Sequence, residues 1–156
     1  MISCRDYALK VIEYRDRTEK ELREKLKEKG FGEHLIDDEL EFLKSYGFIN
    51  DARYAERFTA DAINLKKWGK SRIKSELIRK GVDRELIYNT IEDAFLELDD
   101  DRLFSEMQKR YKNSDFSNIK ERTRIFNFFL RRGFSPEEIK GAINRMSSFE
   151  DIEYYD

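Results

Sequence analysis

Ile73-Lys74-Ser75-Glu76-Leu77-Ile78-Arg79-Lys80-Gly81 carries Ile73 and Leu77 four residues apart and stops on a basic pair followed by glycine. A four-residue step keeps two side chains on one helix face. Cations in the last turn face the negative end of the helix dipole, and glycine supplies the left-handed residue that ends the helix. The pattern recurs at Gly30 and at Gly133, at spacings of 51 and 52 residues. Four residues before the glycines stand Leu26, Leu77 and Phe129, and eight before stand Leu22, Ile73 and Ile125. Six after stand Ile36, Ile87 and Ile139, and ten after stand Leu40, Ile91 and Ile143. Each repeat therefore holds a helix, a glycine turn and a second helix, both with one apolar face.

A further helix precedes each pair. The first spans about Cys4 to Tyr14, with Ala8, Leu9 and Ile12 inward. The second starts near Asn50-Asp51 and carries Tyr54, Ala55, Phe58 and Ala62. The third starts near Asp99-Asp100-Asp101 with Leu103, Met107 and Tyr111. Thr18-Glu19-Lys20-Glu21 and Ser135-Pro136-Glu137-Glu138 both read as capping boxes, and Pro136 falls at the first helical position. Gly47 closes the third helix of the first repeat, and no strand alternation of useful length is present. The predicted fold is all-α: three tandem three-helix repeats forming an elongated curved solenoid, because neighbouring repeats share apolar surface. Its boundaries are 1–48, 49–98 and 99–147, followed by an acidic, aromatic tail at 148–156 that is expected to be mobile.

Composition narrows the function. Charged residues make up 41%, yet 13% are aromatic, enough apolar surface to offset chain entropy in a folded protein. A net charge of −2 excludes a uniformly basic coat but not a local basic face. No apolar run approaches the ~18 residues of a membrane span. Met1 to Lys10 carries charges where a secretory signal needs an apolar stretch. One cysteine, Cys4, fits a reducing cytoplasm, and with one histidine, His34, it leaves no ligand set for zinc. No cofactor is expected. The acidic groups Asp99-Asp100-Asp101 and Asp37-Asp38-Glu39 lie at or near helix starts, where carboxylates offset the dipole, and lack calcium-loop spacing. Trp68-Gly69-Lys70-Ser71 contains the tail of a phosphate-binding loop, but Asn64 stands where that loop needs glycine, and a helix precedes it. A helix turn is the reading. No residues group for acid–base or nucleophilic chemistry, so no enzyme is expected.

Charge is distributed unevenly. Leu65 to Lys80 holds Lys66, Lys67, Lys70, Arg72, Lys74, Arg79 and Lys80 against the single acid Glu76. Lys120 to Arg132 holds Lys120, Arg122, Arg124, Arg131 and Arg132 against Glu121. Nine and two residues before the repeat glycine stand Arg72 and Arg79 in the second repeat and Arg124 and Arg131 in the third. The first repeat has Glu21 and Glu28 there. A seven-residue step is two helix turns, so each pair shares a face. Solvated arginines are the ordinary explanation of such a face; their coincidence in two repeats points to an anionic partner. The candidate contact set is Arg72, Arg79, Lys80, Arg124, Arg131, Arg132, Lys67, Lys70 and Lys74. Trp68, Tyr111, Phe126 and Phe128 lie near these charges, and Phe126 and Phe128 cannot both be central core.

The stretches Arg17 to Gly30, Gly47 to Phe58, Trp68 to Val82 and Phe129 to Ser135 together resemble, in this order, the RecX family, regulators of RecA recombinase. Arg17-Thr18-Glu19-Lys20-Glu21-Leu22-Arg23-Glu24-Lys25-Leu26 followed by Lys29-Gly30 is similar to its first repeat. Gly47-Phe48-Ile49-Asn50-Asp51, with Arg53-Tyr54-Ala55 and Phe58, looks like its most recognisable segment. Trp68-Gly69-Lys70-Ser71-Arg72-Ile73 with Lys80-Gly81-Val82 resembles its second repeat, and Phe129-Leu130 with Arg132-Gly133-Phe134-Ser135 its third. The resemblance covers nearly the whole chain; the added aromatics Phe126 and Phe128 and the acidic tail depart from it. It implies a cytoplasmic bacterial protein without enzymatic activity. It further implies binding to the RecA–DNA filament in its helical groove, with inhibition of filament growth, ATP hydrolysis, strand exchange and co-protease activity. A monomer without membrane attachment is expected, with single- or double-stranded DNA reached through the basic face as a further contact. The alternative is a helical-repeat protein acting directly on DNA, marked by binding that falls steeply with salt.

Overall fold

The computed structural model describes residues 1–153, with side chains through Ser148. Its elements are α1 (Cys4–Tyr14), α2 (Glu19–Lys29), α3 (Glu33–Ser45), α4 (Asp51–Asn64), α5 (Lys70–Arg79), α6 (Arg84–Phe95), α7 (Arg102–Arg110), α8 (Ile119–Arg131) and α9 (Pro136–Glu153). The described residues form no strand. They are all-helical, three helices to each repeat, as the glycine period predicts. Helix α9 continues past residue 147 to Glu153, while the rest of the tail, 154–156, lies outside the described residues.

Repeat positions become core positions. Leu22, Leu26, Ile73, Leu77, Ile125 and Phe129 are all fully buried, as are Ile36 and Ile139. Fully burying one such side chain contributes roughly 1.5–3 kcal/mol, which is why so charged a chain folds. The repeat glycines adopt the expected left-handed backbone, with φ of 103° at Gly30, 86° at Gly81 and 99° at Gly133.

Contacts divide the chain into two compact units: Met1–Ala60 with Glu76–Thr90, and Asp61–Ser75 with Ile91–Asp156. The first is built on Cys4, Ala8, Leu22, Leu26, Ile36, Leu40, Leu43 and Ile49. Cys4 packs there as a small apolar residue, and burial raises its thiol pKa. Thr18 and Glu21 form the expected capping box, and the buried Thr18 hydroxyl also donates to the carbonyl of Lys80 at 2.6 Å. The segment after Gly47 (φ 73°) clamps this unit. Arg53 donates to the Gly47 carbonyl at 3.2 Å, and Asn50 caps α4 by accepting from the Arg53 amide at 3.1 Å. Asp51 accepts from the amide of Glu19, the first residue of α2, at 2.9 Å. One short segment thus closes α3, opens α4 and caps α2.

The second unit has a larger core: Leu103, Phe104, Met107, Phe116, Ile125, Phe129, Phe134, Ile139, Ala142, Ile143 and Met146. Phe116, in the α7–α8 connection, is buried although no helical period announces it. Phe126 and Phe128 are both half-buried against this core, so neither is central. Phe128 and Phe129 meet edge-on with centroids 5.1 Å apart, a favoured aromatic arrangement. Ser135 and Glu138 complete the second capping box at 2.9 and 3.1 Å, with Pro136 opening α9.

Candidate interaction surface

The site begins where α5 starts. Lys67 takes a left-handed conformation (φ 57°), and the Trp68 amide donates to Ala62, so the chain leaves α4 in a tight turn. The Gly69 amide donates to the Arg132 carbonyl at 2.8 Å and the Ser71 amide to the Gly133 carbonyl at 3.2 Å. Those backbone donors are therefore occupied by the end of α8. Gly69-Lys70-Ser71 is a docking turn between backbones, in keeping with the turn expected of it, and not a cradle for phosphate.

Side chains tie the same junction. Arg72 donates to the Arg131 carbonyl at 3.2 Å and lies over the Trp68 ring at 4.2 Å. Arg132 donates to the Lys66 carbonyl at 2.7 Å, and its guanidinium carbon stands 4.5 Å from the Phe128 centroid. Arg110 approaches the same ring at 4.5 Å, and Lys66 stands 4.6 Å from the Trp68 centroid. Cations over rings contribute about 0.5–1 kcal/mol when exposed and more when desolvated. Burial, then the neighbouring Arg110, lowers the pKa of Arg132. A guanidinium remains charged regardless, so positive charge stays concentrated here.

No carboxylate forms an ion pair with Arg72, Arg110, Arg124, Arg131 or Arg132 among the described residues. Arg124, Arg131 and Lys74 are exposed. Lys70 differs, because Glu92 neutralises it at 3.2 Å. Arg102, buried by half, holds the Trp68 carbonyl and lies between the Phe95 and Phe134 rings at 5.5 Å each; burial lowers its pKa. The second unit therefore presents two ring-and-cation groups, Lys66–Trp68–Arg72 and Arg110–Phe128–Arg132, with Arg124 and Arg131 on the outer face of α8.

The two remaining candidates belong to the first unit. Arg79 is exposed and paired with Glu76 at 2.7 Å. Lys80 is half-buried with its ammonium 5.6 Å from the Phe58 centroid. Arg110 is an addition to the candidate set: its place beside Phe128 is made by folding across 18 positions, and no local pattern marks it. Lys66 is legible in sequence as one basic residue among several, but not as the carbonyl that receives Arg132.

His34 is exposed, and no group of three or more potential metal ligands occurs among the described residues. No helix among them is long and apolar enough to cross a membrane.

Comparison with known proteins gives this arrangement a family. Models of the first, second and third three-helix domains of RecX match residues 4–43, 50–90 and 97–143. The chain belongs to the RecX family. Regulatory protein RecX of Clostridium perfringens (strain 13 / Type A) is 35% identical over 155 residues, spanning 97% of this chain and 72% of that protein. Regulatory protein RecX of Clostridioides difficile (strain 630) is 34% identical over 159 residues, with the same shares. The crystal structure of RecX from Lactobacillus salivarius is similar with a TM-score of 0.70 and 27% identity, covering 92% of this chain and 94% of that one. Membership assigns the chain to a family of regulatory proteins. In this RecX-family chain the second and third domains meet at Gly69 and Gly133, beside the ring-and-cation groups.

Proposed function

We propose that this chain is a non-enzymatic negative regulator of RecA recombinase. It binds the filament that RecA forms on DNA, in its helical groove, and restrains filament growth, ATP hydrolysis, strand exchange and co-protease activity. Family membership supports the regulatory role. The observation that carries the contact is the uncompensated set Arg72, Arg110, Arg124, Arg131 and Arg132 beside Trp68 and Phe128. Cations held without carboxylates lose little on meeting an anionic surface, and a tandem-repeat chain gains from several modest contacts acting together. A cytoplasmic site of action accompanies this reading.

A second reading, direct binding to DNA, is favoured by the same arginines without carboxylate partners, since phosphates take such cations. The two are separated by titrating the protein into RecA filaments on single-stranded DNA and following ATP hydrolysis. Loss of hydrolysis well below RecA stoichiometry supports filament regulation by end-capping or disassembly, and loss near stoichiometry supports occupancy along the groove. Unchanged hydrolysis, together with tight salt-sensitive binding to naked DNA, moves the function to DNA itself.

A further inference from the structure

We propose that the groove between the first half of α8 and the middle of α9 receives the acidic segment 149–156 of a second copy of this chain. This goes beyond the regulatory reading and does not depend on it.

The groove has a volume of about 520 Å³ and is lined by Ile119, Arg122, Thr123, Phe126, Lys140, Ile143 and Asn144. Ile119 stands 78% exposed at its rim, and Ile143 is buried beneath it. The charged groups among its described lining residues are Arg122 and Lys140, and neither forms an ion pair among the described residues. An apolar trough with two cations calls for large apolar side chains flanked by carboxylates.

The chain supplies such a segment itself. Phe149-Glu150-Asp151-Ile152-Glu153-Tyr154-Tyr155-Asp156 has four acids, four large apolar or aromatic residues and no cation. Phe149 and Ile152 are spaced for one helix face. Its helical part, 149–153, cannot fill the groove of its own chain. Helix α9 continues from Asn144 through Glu153, and at about 1.5 Å per residue this carries Glu153 about 13 Å farther along the axis. A continuous helix does not turn back on its own middle. A second copy has no such restriction, and an exchange related by a two-fold axis satisfies both grooves at once. The surface is small, so the pair is weak, concentration-dependent and sensitive to salt.

Sedimentation of the full chain over a concentration series tests this. Dimer is expected to form at about 50 mM salt and to weaken about 10-fold or more at about 500 mM. Arg122→Glu with Lys140→Glu should weaken it about 10-fold, as should Glu150→Lys with Asp151→Lys, and combining all four should restore it to within about 3-fold. Arg122→Gln with Lys140→Gln provides a milder groove variant, and circular dichroism checks that each variant is folded. A labelled peptide of residues 149–156 should bind the full chain, and a scrambled peptide should not. A chain that stays monomeric throughout, a groove variant that dimerises like the wild type, absence of rescue, or equal binding of the scrambled peptide overturns the proposal. RecA filament assays do not enter into it, so its failure leaves the regulatory reading standing.

Discussion

Gly69 and Gly133 meet backbone to backbone: a Cβ on Gly69 would stand 2.5 Å from the carbonyl oxygen of Gly133, and one on Gly133 would stand 2.5 Å from the Arg72 amide nitrogen. The two residues close the junction that α5 and α8 share, with no room for a side chain on either. Gly30 occupies the corresponding helix end in the first repeat with a similar φ of 103°, yet a Cβ there would meet nothing within 4 Å.

This contrast separates conformational cost from steric cost. Gly30→Ala is expected to lose about 1–2 kcal/mol, the ordinary penalty of a left-handed L-residue. Gly133→Ala should lose that and a further ~1–3 kcal/mol for displaced backbone. Gly69→Ala should lose the steric part alone. Urea denaturation of the three variants checks the order; equal losses at Gly30 and Gly133 would show that the junction yields.

Arg72 and Arg132 are expected to act differently from Arg124 and Arg131. The first pair hold backbone carbonyls and lie over rings, so Arg72→Ala or Arg132→Ala should cost about 1–2 kcal/mol of stability. The second pair are exposed on α8. Arg124→Glu with Arg131→Glu should leave the melting temperature unchanged while weakening filament inhibition about 10-fold or more. Thermal melts beside ATPase titrations distinguish the classes, and full inhibition by the double variant would remove these two arginines from the contact.

Asp51 gives a pH signature. Burial raises its pKa above the ordinary carboxylate value, while the hydrogen bond from Glu19 opposes that rise. The folded state therefore holds the proton more tightly than the unfolded chain. Above the folded pKa the buried charge is a cost, which is relieved as pH falls toward the unfolded value of about 3.9. Asp51→Asn keeps an acceptor for the Glu19 amide and lacks this titration, so the wild type should gain stability relative to it on acidification. Asp51→Ala should cost about 1–2 kcal/mol at neutral pH, because the α2 amide loses its cap. Denaturation midpoints of the three proteins across pH 4–8 measure both effects; parallel wild-type and Asn curves would contradict the first.

Thr59 is fully buried on α4, and its hydroxyl has no hydrogen-bond partner among the described residues. An unsatisfied buried polar group costs about 1–3 kcal/mol. Thr59→Val retains the shape and removes the hydroxyl, so the melting temperature should rise by a few degrees. A fall would show that the hydroxyl is satisfied in solution.

Much of the fold is legible in the chain because its signals are local. The Gly30–Gly81–Gly133 period, the four-residue apolar steps and the Thr18 and Ser135 capping boxes each act over one or two helix turns. Backbone geometry alone converts them into nine helices and their inward faces among the described residues. Phe116 escapes this reading because its burial in a connection has no period.

The candidate surface is legible as composition and as the seven-residue register of its arginines. Sequence places Arg72, Arg124, Arg131 and Arg132 on helices and counts their charge. It does not reveal that Arg72 meets the carbonyl of Arg131 and Arg132 that of Lys66, across 59 and 66 positions. Nor does it bring Arg110 to Phe128. The helices, their ends and the repeat follow from the order of residues, since each rests on interactions within a turn or two of chain. Packing alone sorts the cations into those that hold the junction and those that stay exposed on α8, because that depends on which backbone each side chain meets once the helices have come together.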